Sequence, residues 1–389
     1  MLAPLRDYLC PRDPKSSPLL CKTKECYFTR LSVWVDPSLP GFEEAQWIVS
    51  EDVNVEHLLV VFTSVDADSG GIWDTCARFM GHLCWHKIRL VALGPKIEGL
   101  RDDHPSKPEC LVQLSRLFRL VGNGVEYKRL LVHALKLYRE RGGDHWVSQV
   151  LRLLSDANLE LGLYKEGIQQ AEEAMEIDKR LGDVVGQARC LKNLAWLLYK
   201  DGQLDAAEKA ALRAINLVPE NGDQFPVSEC HRILGTIYQS QGTREKAIHH
   251  FETALGIASS FSWHEQLFLT HSSLAELFLD DGRFDDASAH IEQAKSHTVD
   301  SAYNLGSTIL LQARLWYRQR RFDEAKSEVL RAVEVFEKLG AAQGLERCKE
   351  VLRDADEEIN NGKLLETVLL PVCIDLAVSA QGIKQQHRR

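Results

Sequence analysis

From residue 108 onward, apolar and polar positions follow a helical period, and the pattern returns at a constant interval. Leu114, Leu154, Leu194, Leu234 and Leu274 are each followed by a small residue: Ser115, Ser155, Ala195, Gly235 and Ala275. Eight residues after each of these leucines stands Gly122, Gly162, Gly202, Gly242 or Gly282, and twelve residues further on stands Ala134, Ala174, Ala214, Ala254 or Ala294. A sixth repeat follows after 38 residues, with Ala313 at the small position and Ala332 at the alanine. A bulky column holds Phe118, Leu198, Tyr238, Phe278 and Trp316, broken by Asn158. A second small column holds Gly167, Ala207, Ala247, Ala287 and Ala325, broken by Tyr127. A third column, usually aromatic or Leu, holds Tyr164, Leu204, Phe284 and Phe322, with Gly124 and Arg244 off pattern.

These columns predict a helix A, a tight turn at Gly, and a helix B in every repeat. The Leu and the bulky residue stand four apart, which puts them on one face of helix A. The small residue beside the Leu allows helix B to approach closely. The alanine of helix B falls where the next helix A crosses. The turn Gly supplies the left-handed backbone that ends a helix. No such repeat buries its apolar face alone, so the repeats must stack. The expected fold is all-α: a right-handed superhelical solenoid of helix-turn-helix units over residues 108–340. The sixth repeat departs most, with Arg320 at the turn Gly and Gln312 at the Leu. Residues 341–361 predict a capping helix with Leu345, Cys348, Val351 and Leu352 inward and Asp354, Asp356, Glu357 and Glu358 in water. Residues 362–389 are expected to be poorly ordered.

Ahead of the repeats the pattern changes. Six of the 12 prolines lie in residues 1–50, which predicts an extended lead-in. Residues 51–107 read as a helical linker, with helices over 53–65, 71–85 and 87–100, the last bent near Gly94-Pro95. The columns do not extend into it, since Asp74 stands one full period before Leu114.

Composition narrows the function. The chain of 389 residues carries a formal charge of −9, which argues against a nucleic-acid binder. Ten scattered cysteines without a C-x-x-C pair read as reduced thiols of a cytoplasmic protein. The N-terminus lacks a signal-peptide h-region, and Glu366, Pro371 and Asp375 interrupt the most apolar stretch, so no membrane segment is expected. No catalytic constellation emerges, and neither metal nor cofactor is expected. His82 and His86 share a helical face, but Cys84 points away from them. Cys21 and Cys26 lack a second pair.

The repeat columns resemble those of the tetratricopeptide repeat family, whose usual unit is about 34 residues. A 40-residue unit implies longer helices, as in kinesin light chains and the sensor arrays of STAND-type NTPases. Residues 6–33 with the helices that follow are similar to the C-terminal half of basidiomycete STAND/NACHT NTPases, in which a nucleotide-binding module precedes the helical linker and sensor. No G-x-x-x-x-G-K-[ST] occurs in this chain. That resemblance implies a sensor array without its NTPase, either a standalone paralogue or part of a longer gene product.

In stacked helical repeats the A helices line a concave groove. The groove positions predict a basic run of Arg152, Arg189, Lys192 and Arg232 across three repeats, with Trp196 and Tyr199 as aromatic anchors. Asn193 stands where the resemblance to kinesin light chains places an amide that clamps a ligand's main chain. The expected function is a non-enzymatic interaction module that takes a peptide or helix, acidic in character, in this groove.

Overall fold

The computed structural model of the protein describes Trp73 and residues 93–120, 122–298, 302–339 and 341–359. The expectations for residues 1–50 and 362–389, for the helices over 53–65 and 71–85, for Cys21 and Cys26, and for His82, Cys84 and His86 lie outside the described residues. So do the side chains of Asp354, Asp356, Glu357 and Glu358. Every described element is a helix, fourteen in all, as the periodicity predicts.

The chain divides into two units, one of residues 1–270 with 299–301 and one of residues 271–298 with 302–389. In the first, α1 (Leu93–Glu98) carries Pro95 in its opening turn, where a missing N–H costs nothing. Four helical hairpins follow. They are α2 (Lys107–Leu120) with α3 (Gly124–Arg141), α4 (Asp144–Glu160) with α5 (Tyr164–Leu181), α6 (Val184–Lys200) with α7 (Leu204–Leu217), and α8 (Phe225–Ser240) with α9 (Arg244–Ser260). Helix α10 (His264–Asp280) starts in this unit. The B helices α3, α5 and α7 each pack on the next A helix as well. The A helices α4, α6 and α8 touch in sequence, whereas the B helices stand farther apart. Tighter spacing on the A side makes α4, α6 and α8 the inner wall of this unit.

The column residues do what their chemistry predicts. Ala134, Ala174, Ala214 and Ala254 are fully buried, as are Ser115, Ser155 and Ala195. At Gly235 a Cβ would stand 2.7 Å from the Phe251 ring of α9, so a glycine is what lets the hairpin close. The turn glycines adopt positive φ, Gly162 at 73° and Gly202 at 82°. At Gly162, the Gly162 N–H donates to Leu159 O and the Leu163 N–H to Asn158 O, which stops the helix by satisfying its last carbonyls. A further row, Gly142 and Gly182, ends the B helices with φ of 75° and 69°. Ser262 takes the same part after α9 at φ 54°.

The second unit holds the rest of α10, α11 (Phe284–Ser296), α12 (Ala302–Arg318), α13 (Phe322–Leu339) and α14 (Ala342–Ile359). Arg320 preserves the turn that Gly makes elsewhere: its φ is 61°, and the Arg320 and Arg321 N–H groups donate to Tyr317 O and Trp316 O. Phe336 is fully buried against Gly306 and Gly344. Helix α14 contributes Cys348, Val351 and Leu352 to this core.

Candidate ligand-binding groove

The wall built by α4, α6 and α8 carries all the expected groove residues, but the fold uses several of them itself. Arg152 is the clearest case. Its Nη1 donates to Asp178 Oδ2 at 2.7 Å, and the two side chains are 11% and 0% exposed. Asp178 reaches across from α5 and also accepts from Ser148 Oγ and Cys190 Sγ. Gly186 makes room for it, since a Cβ there would meet Asp178 Oδ2 at 2.5 Å. Burial, reinforced by this carboxylate, pushes the Cys190 thiol well above its ordinary range. Arg152 is therefore held as a largely buried cation by a partner within the fold.

Asn193 is held by internal partners in the same way. It is 3% exposed, and its Nδ2 donates to Arg152 O at 2.9 Å and to Ser155 Oγ at 2.6 Å. The amide clamps the main chain of the neighbouring A helix, where a ligand's main chain was expected. Arg232 forks onto Glu229, with Nε and Nη2 at 2.9 and 2.8 Å from its oxygens. The Arg232 guanidinium also lies 4.8 Å from the centre of the Trp196 ring. Burial pushes the Glu229 carboxyl up, yet the charge and hydrogen bonds of Arg232, with Lys192 and Trp196 behind them, hold it below its ordinary value.

The basic run is thus matched by carboxylates along its length. Lys192 Nζ stands 3.7 Å from Asp156, and Arg189 Nη2 lies 2.7 Å from Asp223 with half of its side chain exposed. A wall expected to be cationic is charge-balanced. Two aromatic residues stay partly exposed on it: Trp196 and Tyr199 meet edge to face at 5.8 Å, and the Tyr199 hydroxyl is 3.0 Å from Ser240 Oγ of α8. Toward the N-terminal end, Arg119 Nε of α2 donates to Glu160 Oε1 at 2.8 Å.

Sequence reasoning missed Asp178 and the pairing of Glu229 with Arg232. Asp178 stands on another helix, far along the chain from its arginine, where no local spacing announces it. Glu229 and Arg232 stand three apart on one helix face, a spacing the sequence does show. Among the described residues no group of three or more His, Cys, Asp and Glu is arranged to hold a metal ion, and no helix is long and apolar enough to cross a membrane.

Comparison with known proteins agrees with this geometry. Residues 156–220 and 233–261 match tetratricopeptide repeat profiles, so the chain carries tetratricopeptide repeats. No curated protein sequence matches the chain. Among solved structures, a Rap protein complexed with Competence and Sporulation Factor superposes with a TM-score of 0.55 at 12% identity, over 85% of this chain and 99% of that one. The Rap conjugation gene regulator of plasmid pLS20, in complex with the Phr* peptide, gives 0.54 at 15% identity, over 90% and 96%. A STAND protein with a tetratricopeptide repeat sensor from Pyrococcus horikoshii gives 0.51 at 15% identity, over 92% of this chain and 54% of that one. At these identities the likeness is one of fold.

Proposed function

We propose that the protein is a non-enzymatic interaction module whose α4–α6–α8 wall binds a peptide or helical segment of a partner protein. The observation that carries this reading is the pair of partly exposed aromatic residues, Trp196 and Tyr199, on a wall whose charges are already fixed by internal partners. Binding sites concentrate Trp and Tyr, and these two rings leave part of their surface in water beside one another. Fixed charges also keep the wall rigid, which lowers the ordering cost of binding. The pLS20 Rap regulator holds a peptide on the same type of fold, which supports a peptide as ligand.

Acidic ligand character now rests on Arg189 and Lys192, because Arg152 and Arg232 are occupied within the fold. A ligand carboxylate at Arg189 competes with Asp223. The test is binding of peptides to the full chain and to its Arg189→Glu/Lys192→Glu variant. A large loss for acidic peptides alone supports the acidic preference. An equal affinity for acidic and neutral peptides removes that preference and leaves the aromatic groove.

A second reading is favoured by the extent of the match to the STAND protein, which spans nearly the whole of this chain and about half of the other. In it, the chain is the sensor part of a fungal recognition NTPase, working in the cytoplasm. An in-frame P-loop upstream in the transcript supports it. A transcript that encodes no such module overturns it, and cell fractionation tests the compartment.

A further inference from the structure

Two histidine pairs recur one repeat apart. His231 and His250 join α8 to α9, and one repeat later His271 and His290 join α10 to α11. The Nδ1 atoms of the first pair are 3.0 Å apart and those of the second 2.9 Å. The ring centroids are 5.2 Å apart in both, with tilts of 32° and 35°. The centroid separation exceeds the nitrogen separation by about one ring radius at each end. The two nitrogens therefore point at one another along a common line. A metal ion bound to both would need each nitrogen at about 2.0–2.1 Å, which that line cannot accommodate. A single proton fits: one ring donates its Nδ1–H and the other accepts at its bare Nδ1.

We propose that the two pairs are acid-sensitive clasps between the A and B helices of the fourth and fifth repeats, each closed by one shared proton and opened when both rings are fully protonated. The geometry supplies the reason. One ring of a pair accepts a further proton at its outer Nε2 and keeps the contact. A proton on the second Nδ1 sets two N–H groups face to face between two cations, and the contact must part.

The surroundings work in the same direction. Tyr238 of α8 stacks on His250 at 5.3 Å, and Phe278 of α10 stacks on His290 at 5.3 Å, so an aromatic ring shields one face of each pair. Around the first pair, His249 and Lys246 of α9 repel an added proton. Glu208 of α7, which accepts the Tyr238 hydroxyl at 2.7 Å, attracts one to His250. Burial together with the neighbouring rings nonetheless lowers both histidines, His231 to about 4. Around the second pair, His297 stacks on His271 at 6.0 Å, and the Arg283 guanidinium sits 4.4 Å from the Phe278 ring centre. Burial and the neighbouring His290 and His297 lower His271 to about 4. The folded values lie below the ordinary histidine value. Stability is therefore whole above about pH 6.5 and falls as pH drops from there toward 4.

The experiment is amide hydrogen exchange on the full chain between about pH 7.5 and pH 5, the range in which histidine changes charge, corrected for the intrinsic rate. Protection in α9 and α11 is expected to fall by about tenfold per pH unit for each coupled proton below the ordinary histidine pKa. His250→Gln should flatten the response in α9 and leave α11 unchanged, and His290→Gln should do the reverse. Nitrogen NMR of the wild-type rings at neutral pH is the second measurement, independent of how the variants fold. One ring of each pair should be the Nδ1–H tautomer. Protection in these helices that is independent of pH, slopes unaltered in both variants, or four rings carrying their proton on Nε2 would overturn the proposal.

Discussion

Removing the Asp178 carboxylate while keeping its volume, as Asp178→Asn, isolates the Arg152 charge inside the A-helix layer. Asp178 is completely buried, and Arg152 keeps only 11% of its side-chain surface in water, so neither charge is screened by solvent. Ser148 Oγ loses an anionic acceptor at the same time. Breaking a buried ion pair by removing one partner costs about 3–5 kcal/mol, because the remaining charge is left without compensation. The residual exposure of Arg152 places this case toward the lower end, about 3 kcal/mol. The assay is urea unfolding followed by far-UV circular dichroism, read as a loss of midpoint at unchanged slope. Replacing both partners, as Arg152→Met with Asp178→Leu, should recover most of the loss, since apolar replacement of a buried pair is close to neutral. A loss under about 1 kcal/mol, the range of an exposed surface pair, would refute the assignment of Arg152 to the core. An Arg152→Met protein of full stability that no longer binds peptide would return that residue to the groove.

Two further substitutions probe the turn and the wall. Arg320→Gly relieves a left-handed residue that costs about 1–2 kcal/mol, offset in part by the greater freedom of glycine in the unfolded chain. A net gain of about 0.5–1 kcal/mol in thermal or urea unfolding is expected, and unchanged or lower stability would show that the turn is unstrained. Glu229→Gln removes a buried carboxylate held by two charge-assisted hydrogen bonds, worth about 1.5–3 kcal/mol at neutral pH. Because the folded pKa of Glu229 is depressed, its contribution is present above the ordinary carboxylate range and is lost as pH falls through the folded value. The stability gap between wild type and variant should therefore narrow in acid, and a gap constant with pH would contradict the pairing.

The repeat was legible because its signals are short-range and recur. A leucine with a small neighbour, a glycine eight residues on and an alanine twelve beyond it encode hairpin, turn and crossing within one stretch of chain. Even the exception was informative, since Arg320 adopts the glycine's backbone conformation. A second glycine row that the columns left unread, Gly142 and Gly182, carries the ends of two B helices. The wall of A helices was legible, and Trp196 and Tyr199 stand partly exposed on it. Its chemistry was not. Helical spacing places Arg152 and Asn193 on the inner face of their helices, but it does not reveal that α5 sends Asp178 beneath one and that α4 offers a carbonyl to the other. The histidine pairs lay in the same blind spot, since His250 meets His231 on the helix before it, at a separation along the chain that no helical spacing reports.

The most direct test of the central claim is hydrogen exchange on the full chain, with and without the tightest peptide selected from a random library. The account predicts new protection on α4, α6 and α8. It also predicts an affinity loss of about 2 kcal/mol, the size of a binding hot spot, for Trp196→Ala with Tyr199→Ala. Failure to select any peptide, protection confined to other helices, or an affinity unchanged in that double variant would contradict it.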